Sequence, residues 1–176
     1  MTQAPPRAEA FSFEALYRET VADVHGYAIS LLGDRASAED ITALAFERLY
    51  RTRARIDRRR GTPRALLFAI ARNAALDELR RRGRQPELVP EPEALGERGP
   101  DEELLRLERR ETVRAALSAL TLREREIVLL KFHGQLTNAE LGRVLSISET
   151  NAATRLHRAL GRLREQCADR PREEVA

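Results

Sequence analysis

The sequence predicts an all-α protein of two small helical domains joined by a flexible linker, and three observations predict it. Apolar residues recur at spacings of three and four along most of the chain. No segment alternates with period two over a useful length, so no sheet is expected. From Gly83 to Pro100, four Pro and three Gly stand among acidic residues, a composition that cannot bury a core.

Residues 1–10, with Pro5 and Pro6, read as a frayed leader. The N-terminal domain is expected over 11–83. Phe13, Leu16, Tyr17, Val24, Tyr27, Ala28 and Leu31 line one face of a first helix, which ends at Gly33-Asp34. Ser37 and Asp40 have the spacing of a capping box, in which two side chains satisfy each other's free backbone N–H groups. They open a second helix, from Ala38 to about Arg53, with Ile41, Leu44, Ala45 and Leu49 on its buried side. An Arg-rich turn follows from Ile56 to Gly61. Thr62-Pro63 starts a third helix, because Pro at the first helical position gives up an N–H that has no partner there. It runs to about Arg82 and buries Leu67, Ile70, Ala71 and Ala74.

The linker spans 84–100, and the second domain is expected over 101–168, with a tail at 169–176. Leu104, Leu107, Val113, Leu117 and Leu120 line its first helix. Thr121 with Glu124 caps the next, which runs to about Phe132 and closes at His133-Gly134. Thr137 with Glu140 repeats the device for a short helix ending near Leu145. Ser146-Ile147-Ser148 is a tight turn, and the last long helix runs from Glu149 to about Cys167. Short helix, three-residue turn and long basic helix make a helix-turn-helix. Leu141, Leu145, Ile147, Ala152 and Leu156 pack its two helices, and Gly142 permits their close approach.

Charge distribution says more than the net +3. Twelve Arg face three acids between Arg51 and Arg84, seven acids face one Arg between Gln85 and Glu103, and four Arg stand without an acid between Asn151 and Arg164. Two basic patches around an acidic stretch fit a nucleic-acid binder with two contact surfaces. Solvated helix faces would produce the same charge runs. On the last helix, Thr150, Asn151, Thr154, Arg155, His157 and Arg158 share the face that a major groove would receive.

Other classes lose ground. Cys167 is the lone cysteine, so neither an intramolecular disulfide nor a cysteine zinc site is available. His25 and His133 lack partners at metal-ligand spacing, so no metal and no cofactor is expected. No P-loop or nucleophile–base set points to an enzyme. No apolar run approaches the roughly 18 residues of a membrane span and no signal segment opens the chain, so a cytoplasmic protein without membrane insertion is expected.

The stretch LTNAELGRVLSISETNAATRLHRALGRLRE resembles the promoter-recognition domain of bacterial sigma factors. SAEDITALAFERLYR and TPRALLFAIARNAALDELRRRGR resemble the two central segments of their N-terminal domain. Order, spacing and linker agree over about residues 11–166, and the absence of a middle domain points to the extracytoplasmic-function subclass. That resemblance implies a factor that binds core RNA polymerase and directs initiation at promoters, with no catalysis of its own.

It also implies a division of labour. The second helix docks on the polymerase clamp, which maps onto Asp40, Leu44, Phe46, Glu47 and Arg48. The following loop and third helix hold the −10 element and trap a flipped base, through Arg58, Arg59, Arg60, Arg64, Arg72, Asn73 and Arg80. The last helix reads the −35 element through Thr154, His157 and Arg158, with Arg155 on phosphate. Promoter DNA and an anti-sigma factor join polymerase as expected partners.

The pattern departs from the family at three places. Ala43 and Leu44 replace a polar-acidic pair, Leu66 stands where many members carry Trp, and Ala153 replaces a commonly basic residue. Two rival readings stay open: a stand-alone helix-turn-helix regulator or a sigma-like protein without core binding, and an adaptor that binds only proteins. Salt-sensitive DNA binding separates the first from the second.

Overall fold

The computed structural model describes residues 12–53, 56, 61–83 and 100–168, with side chains from 109 onward in the last stretch. The expected leader, the linker up to residue 99 and the tail lie outside the described residues, as do Arg58, Arg59 and Arg60. Among the described residues there are seven α-helices and no strand.

In α1 (Phe13–Leu32) the Ser12 side chain accepts from the Ala15 N–H at 3.1 Å, and Gly33, at φ 65°, ends the helix in the left-handed conformation that glycine tolerates. The chain re-enters a helix at once. Asp34 is extended and accepts from the Ser37 N–H at 3.0 Å, so α2 runs Arg35–Thr52. The cap expected at Ser37 is therefore corrected to Asp34. Directly after a left-handed glycine the first extended residue becomes the cap, which leaves Ser37 in the first turn, bonded to Arg82. α3 (Pro63–Arg82) starts as expected, with Thr62 accepting from the Ala65 N–H and Pro63 in the first turn, and stops at Gly83.

α1, α2 and α3 pack around Val24, Tyr27, Leu31, Ala45, Leu49, Leu67, Phe68 and Ala71. Each buried Leu or Phe contributes roughly 1.5–3 kcal/mol of hydrophobic stabilisation. Leu44 and Ile70, expected inside, are only half-buried. Ile70 instead lines an open groove of about 660 Å³ together with Ile56, Ala65, Leu66, Ala69 and Val144. Phe13, Tyr17, Phe46 and Tyr50 close one end of the α1–α2 pair as edge-to-face rings.

The second half contains α4 (Pro100–Ala119), α5 (Leu122–Phe132), α6 (Asn138–Leu145) and α7 (Glu149–Ala168). Both expected capping boxes are present, Thr121 with Glu124 and Thr137 with Glu140. Val113 is 45% exposed rather than buried, whereas Ala116 and Leu120 are inside. α4 packs chiefly on α7, and a helix with one main neighbour buries a narrower stripe than its apolar spacing suggests. Arg125 is buried and donates to the carbonyls of Leu117, Ser118 and Leu120, satisfying the end of α4.

The halves also touch each other. α1 packs on α5 and α3 on α6, and one set of buried apolar residues continues through both.

Candidate nucleic-acid interface

Local sequence shapes the helix-turn-helix. α6 ends at Ser146, at φ 56°, whose N–H is taken up by the carbonyls of Gly142 and Arg143. Gly142 lies so close to the turn that a Cβ there would meet the Ile147 carbonyl oxygen at 2.9 Å and the Glu149 nitrogen at 3.2 Å. Ala152, Leu156 and Ala159 bury one face of α7. The other face presents Thr150, Asn151, Thr154, Arg155, His157 and Arg158, all exposed.

Within that face the side chains are not equally free. Thr154 donates its hydroxyl to the Thr150 carbonyl at 2.9 Å, and Arg155 Nε donates to Asn151 Oδ1 at 2.9 Å. His157 and Arg158 project a turn further along. That bond ties Arg155 back one turn along the helix.

Region by region, the other expected site residues are scattered. On α2, Asp40, Glu47 and Arg48 are exposed and Leu44 is half-buried. Phe46 is 5% exposed and packs on Phe13 and Tyr17, so its ring braces α1 against α2 rather than standing on the exposed side. Arg48 and Arg51 reach the rim of the apolar groove that Leu66 and Ile70 line, and Arg143 of α6 reaches it from the other half. Asn73 is exposed on α3, and Arg80 pairs with Asp77 at the surface.

Arg64 and Arg72, expected in an open cationic groove, are turned into contacts inside the chain. Arg64 donates to Asp23 at 2.5 Å and to the carbonyls of His133 and Gly134 at 2.9 and 2.6 Å, where α5 ends. Arg72 Nε lies 2.6 Å from Glu126 Oε1 on α5, and the Glu126 side chain is 6% exposed. Tyr27 completes that buried cluster. Burial pushes its phenol well above the ordinary value and the Glu126 charge adds to this, while Arg72 opposes it.

One further polar contact crosses between the halves. Thr62 donates to Glu140 at 2.6 Å while its oxygen caps α3. Burial works against the Glu140 charge, but bonds from Thr62 and Thr137 and the Arg143 charge outweigh it and hold the carboxyl below its usual range. Sequence reasoning missed Glu126 entirely and saw Glu140 only as a local cap, because no spacing rule reports a partner some 50 to 80 residues away. Among the described residues no group of His, Cys, Asp and Glu could hold a metal, and no helix is long and apolar enough to cross a membrane.

Comparison with known proteins places this geometry. The model of Sigma-70 region 2 matches residues 16–85 and that of Sigma-70 region 4 matches 110–163. The ECF RNA polymerase sigma factor SigL of Mycobacterium tuberculosis is 32% identical over 160 residues, covering 89% of each chain. The chain belongs to the extracytoplasmic-function (ECF) sigma factors. SigW of Bacillus subtilis is 28% identical and covers 79% of this sigma factor and 80% of itself. Among solved structures, sigma factor RpoE from Bartonella quintana, in complex with the anti-sigma factor NepR, matches with a TM-score of 0.70 at 20% identity, over 90% of this chain and 98% of that one. CnrH in complex with the cytosolic domain of CnrY matches at 0.66 and 20%, over 90% and 89%. As a sigma factor the protein binds RNA polymerase and directs it to promoters, and its family is not enzymatic.

Proposed function

We propose that this sigma factor divides promoter recognition between its halves, region 4 reading the −35 element through α7 and region 2 holding the −10 element through α3 and the loop before it. The observation that carries the reading is the exposed face of α7, where Thr154, Arg155, His157 and Arg158 stand clear of the buried stripe Ala152, Leu156 and Ala159. An exposed, acid-free helix face after a tight turn is what a major groove accepts. Region 2 supplies Arg64, Arg72, Asn73 and Arg80, with Arg58, Arg59 and Arg60 before them in the sequence. Cations along a strand's backbone and a pocket for an unstacked base suit single-stranded DNA.

Core polymerase docks on the exposed side of α2, through Asp40, Leu44, Glu47 and Arg48, with Phe46 bracing that surface from behind. A factor working on polymerase acts in the cytoplasm. An anti-sigma factor is the natural further partner, since the RpoE structure is a complex with the anti-sigma factor NepR and the CnrH structure is a complex with the cytosolic domain of CnrY. Co-purification with bacterial core polymerase, followed by run-off transcription on a promoter library, tests the whole reading. A complex initiating at a defined promoter set supports it. Salt-sensitive DNA binding without core binding would replace it with a stand-alone regulator.

A further inference from the structure

We propose that the apolar groove beside α3 is a binding site for a small amphiphilic acid, its hydrocarbon tail on the groove floor and its carboxylate at the arginines of the rim.

The floor follows from the sequence of α3. Leu67, Phe68 and Ala71 fill the core of region 2, and a second apolar stripe of Ala65, Leu66, Ala69 and Ile70 runs beside them. Ala65 and Ala69 stand one turn apart and are small where Leu66 and Ile70 are large, so the stripe is a trough rather than a ridge. Ile56 and Val144 form further parts of its wall. Leu66 is left 36% exposed, and Ile56, Ala69 and Ile70 are only half-buried. The volume of about 660 Å³ lies within the roughly 300–1,000 Å³ of small-molecule sites.

The rim is cationic. Arg48 and Arg51 reach it from α2 and Arg143 from α6. Arg51 is paired with Glu47 at 2.6 Å in open solvent, a weak hold. Among the described residues neither Arg48 nor Arg143 has a carboxylate within ion-pair distance. Glu140 is near enough to feel the Arg143 charge, but its oxygens are taken by Thr62 and Thr137. At Gly61, with φ 149°, no side chain covers the mouth, and Arg143 Nη1 stands 3.6 Å from where a Cβ would be. Apolar floor and guanidinium rim together match one chemistry, because a guanidinium fork binds a carboxylate in two parallel bonds.

The full chain is titrated by calorimetry with hexanoate, octanoate and decanoate, and with octanol and octyltrimethylammonium as head-group controls. Affinity should rise about fourfold for each methylene added. Octanoate should bind at least about tenfold more tightly than octanol, and the cation more weakly still. Arg143→Gln should weaken octanoate about tenfold and leave octanol unchanged. Ala69→Phe, which fills the trough, should abolish binding of both.

Location is read separately, so that the proposal survives a failure of Ala69→Phe to fold. The chain has no Trp, and Leu66→Trp places a single one on the groove wall. Bromine-tipped octanoate should quench its emission, and excess decanoate should restore it. Octanol bound as tightly as octanoate would overturn the site, as would affinity that ignores tail length. Heat of binding without quenching would place the acid elsewhere on the protein and overturn it equally.

Discussion

Arg72 Nε and Glu126 Oε1 meet at 2.6 Å across the boundary between regions 2 and 4, beside the fully buried ring of Tyr27. Removing one partner of a withdrawn pair leaves the other charged and unanswered, a cost of about 3–5 kcal/mol when it has no escape. Here separation of the regions offers an escape, so the measured cost should be smaller. A double-mutant cycle with Arg72→Met and Glu126→Gln should show a coupling energy of about 1–2 kcal/mol in thermal unfolding. Additive effects would mean that the two charges do not stabilise each other.

On α7, Arg158→Ala should weaken binding to the preferred −35 duplex by about 1–3 kcal/mol and relax specificity at one base position. Arg155→Ala should instead weaken all duplexes alike and lower the salt slope by about one. Both variants should bind core polymerase as the parent does. Titration of matched and mismatched duplexes at several salt concentrations separates the two roles, and identical behaviour of the two variants would refute them.

Gly142→Ala places a Cβ 2.9 Å from the Ile147 carbonyl oxygen, a backbone atom that cannot swing away. The helix-turn-helix must then shift, at a cost of about 1–3 kcal/mol. Calorimetry should show region 4 melting earlier, and −35 binding should fall with it. Gly161→Ala, where nothing lies within 4 Å, is the control and should be neutral or better.

Acid should loosen region 2 through Asp34. Bonds from the Ser37 hydroxyl, Arg82 and the Ser37 backbone lower its carboxyl from 3.8 to about 2. A folded value below the unfolded one means the contribution is whole above pH 3.8 and fades as pH falls towards about 2. Asp34→Asn should therefore lower stability at neutral pH and flatten its fall over that window, as read by thermal unfolding at stepped pH. An unchanged acid limb would show that Asp34 titrates alike in both states.

Leu44→Glu returns an acid to the position where the family's pattern has a polar-acidic pair. The half-buried, solvent-reaching side of α2 can carry that charge, and core-polymerase affinity should rise. A loss of affinity in a pull-down would assign an apolar contact to Leu44.

Helix existence and most helix ends were legible in the sequence, because their causes are local. Thr62-Pro63, Thr121 with Glu124 and Thr137 with Glu140 each act within one turn, and each stands where spacing puts it. Asp34 was obscured by its neighbour, since Ser37 with Asp40 imitates a box one turn too late. The candidate site divides the same way. The α7 face follows from helical period alone, whereas the destinations of Arg64 and Arg72 depend on how two halves meet. Phe46 shows a third case, a residue placed on the right helix whose phase turns it inward.

The chain of bonds from Thr62 to Glu140 to Thr137 has a consequence for reversibility. Thr62 caps α3 through its oxygen lone pair and gives only its proton to Glu140. Glu140 holds Thr137 through Oε2 and receives Thr62 on Oε1. When the halves part, each helix keeps its own cap, and the freed proton and carboxylate oxygen are met by water. The seam between the halves can therefore come undone and be remade many times without either half unravelling at its edge.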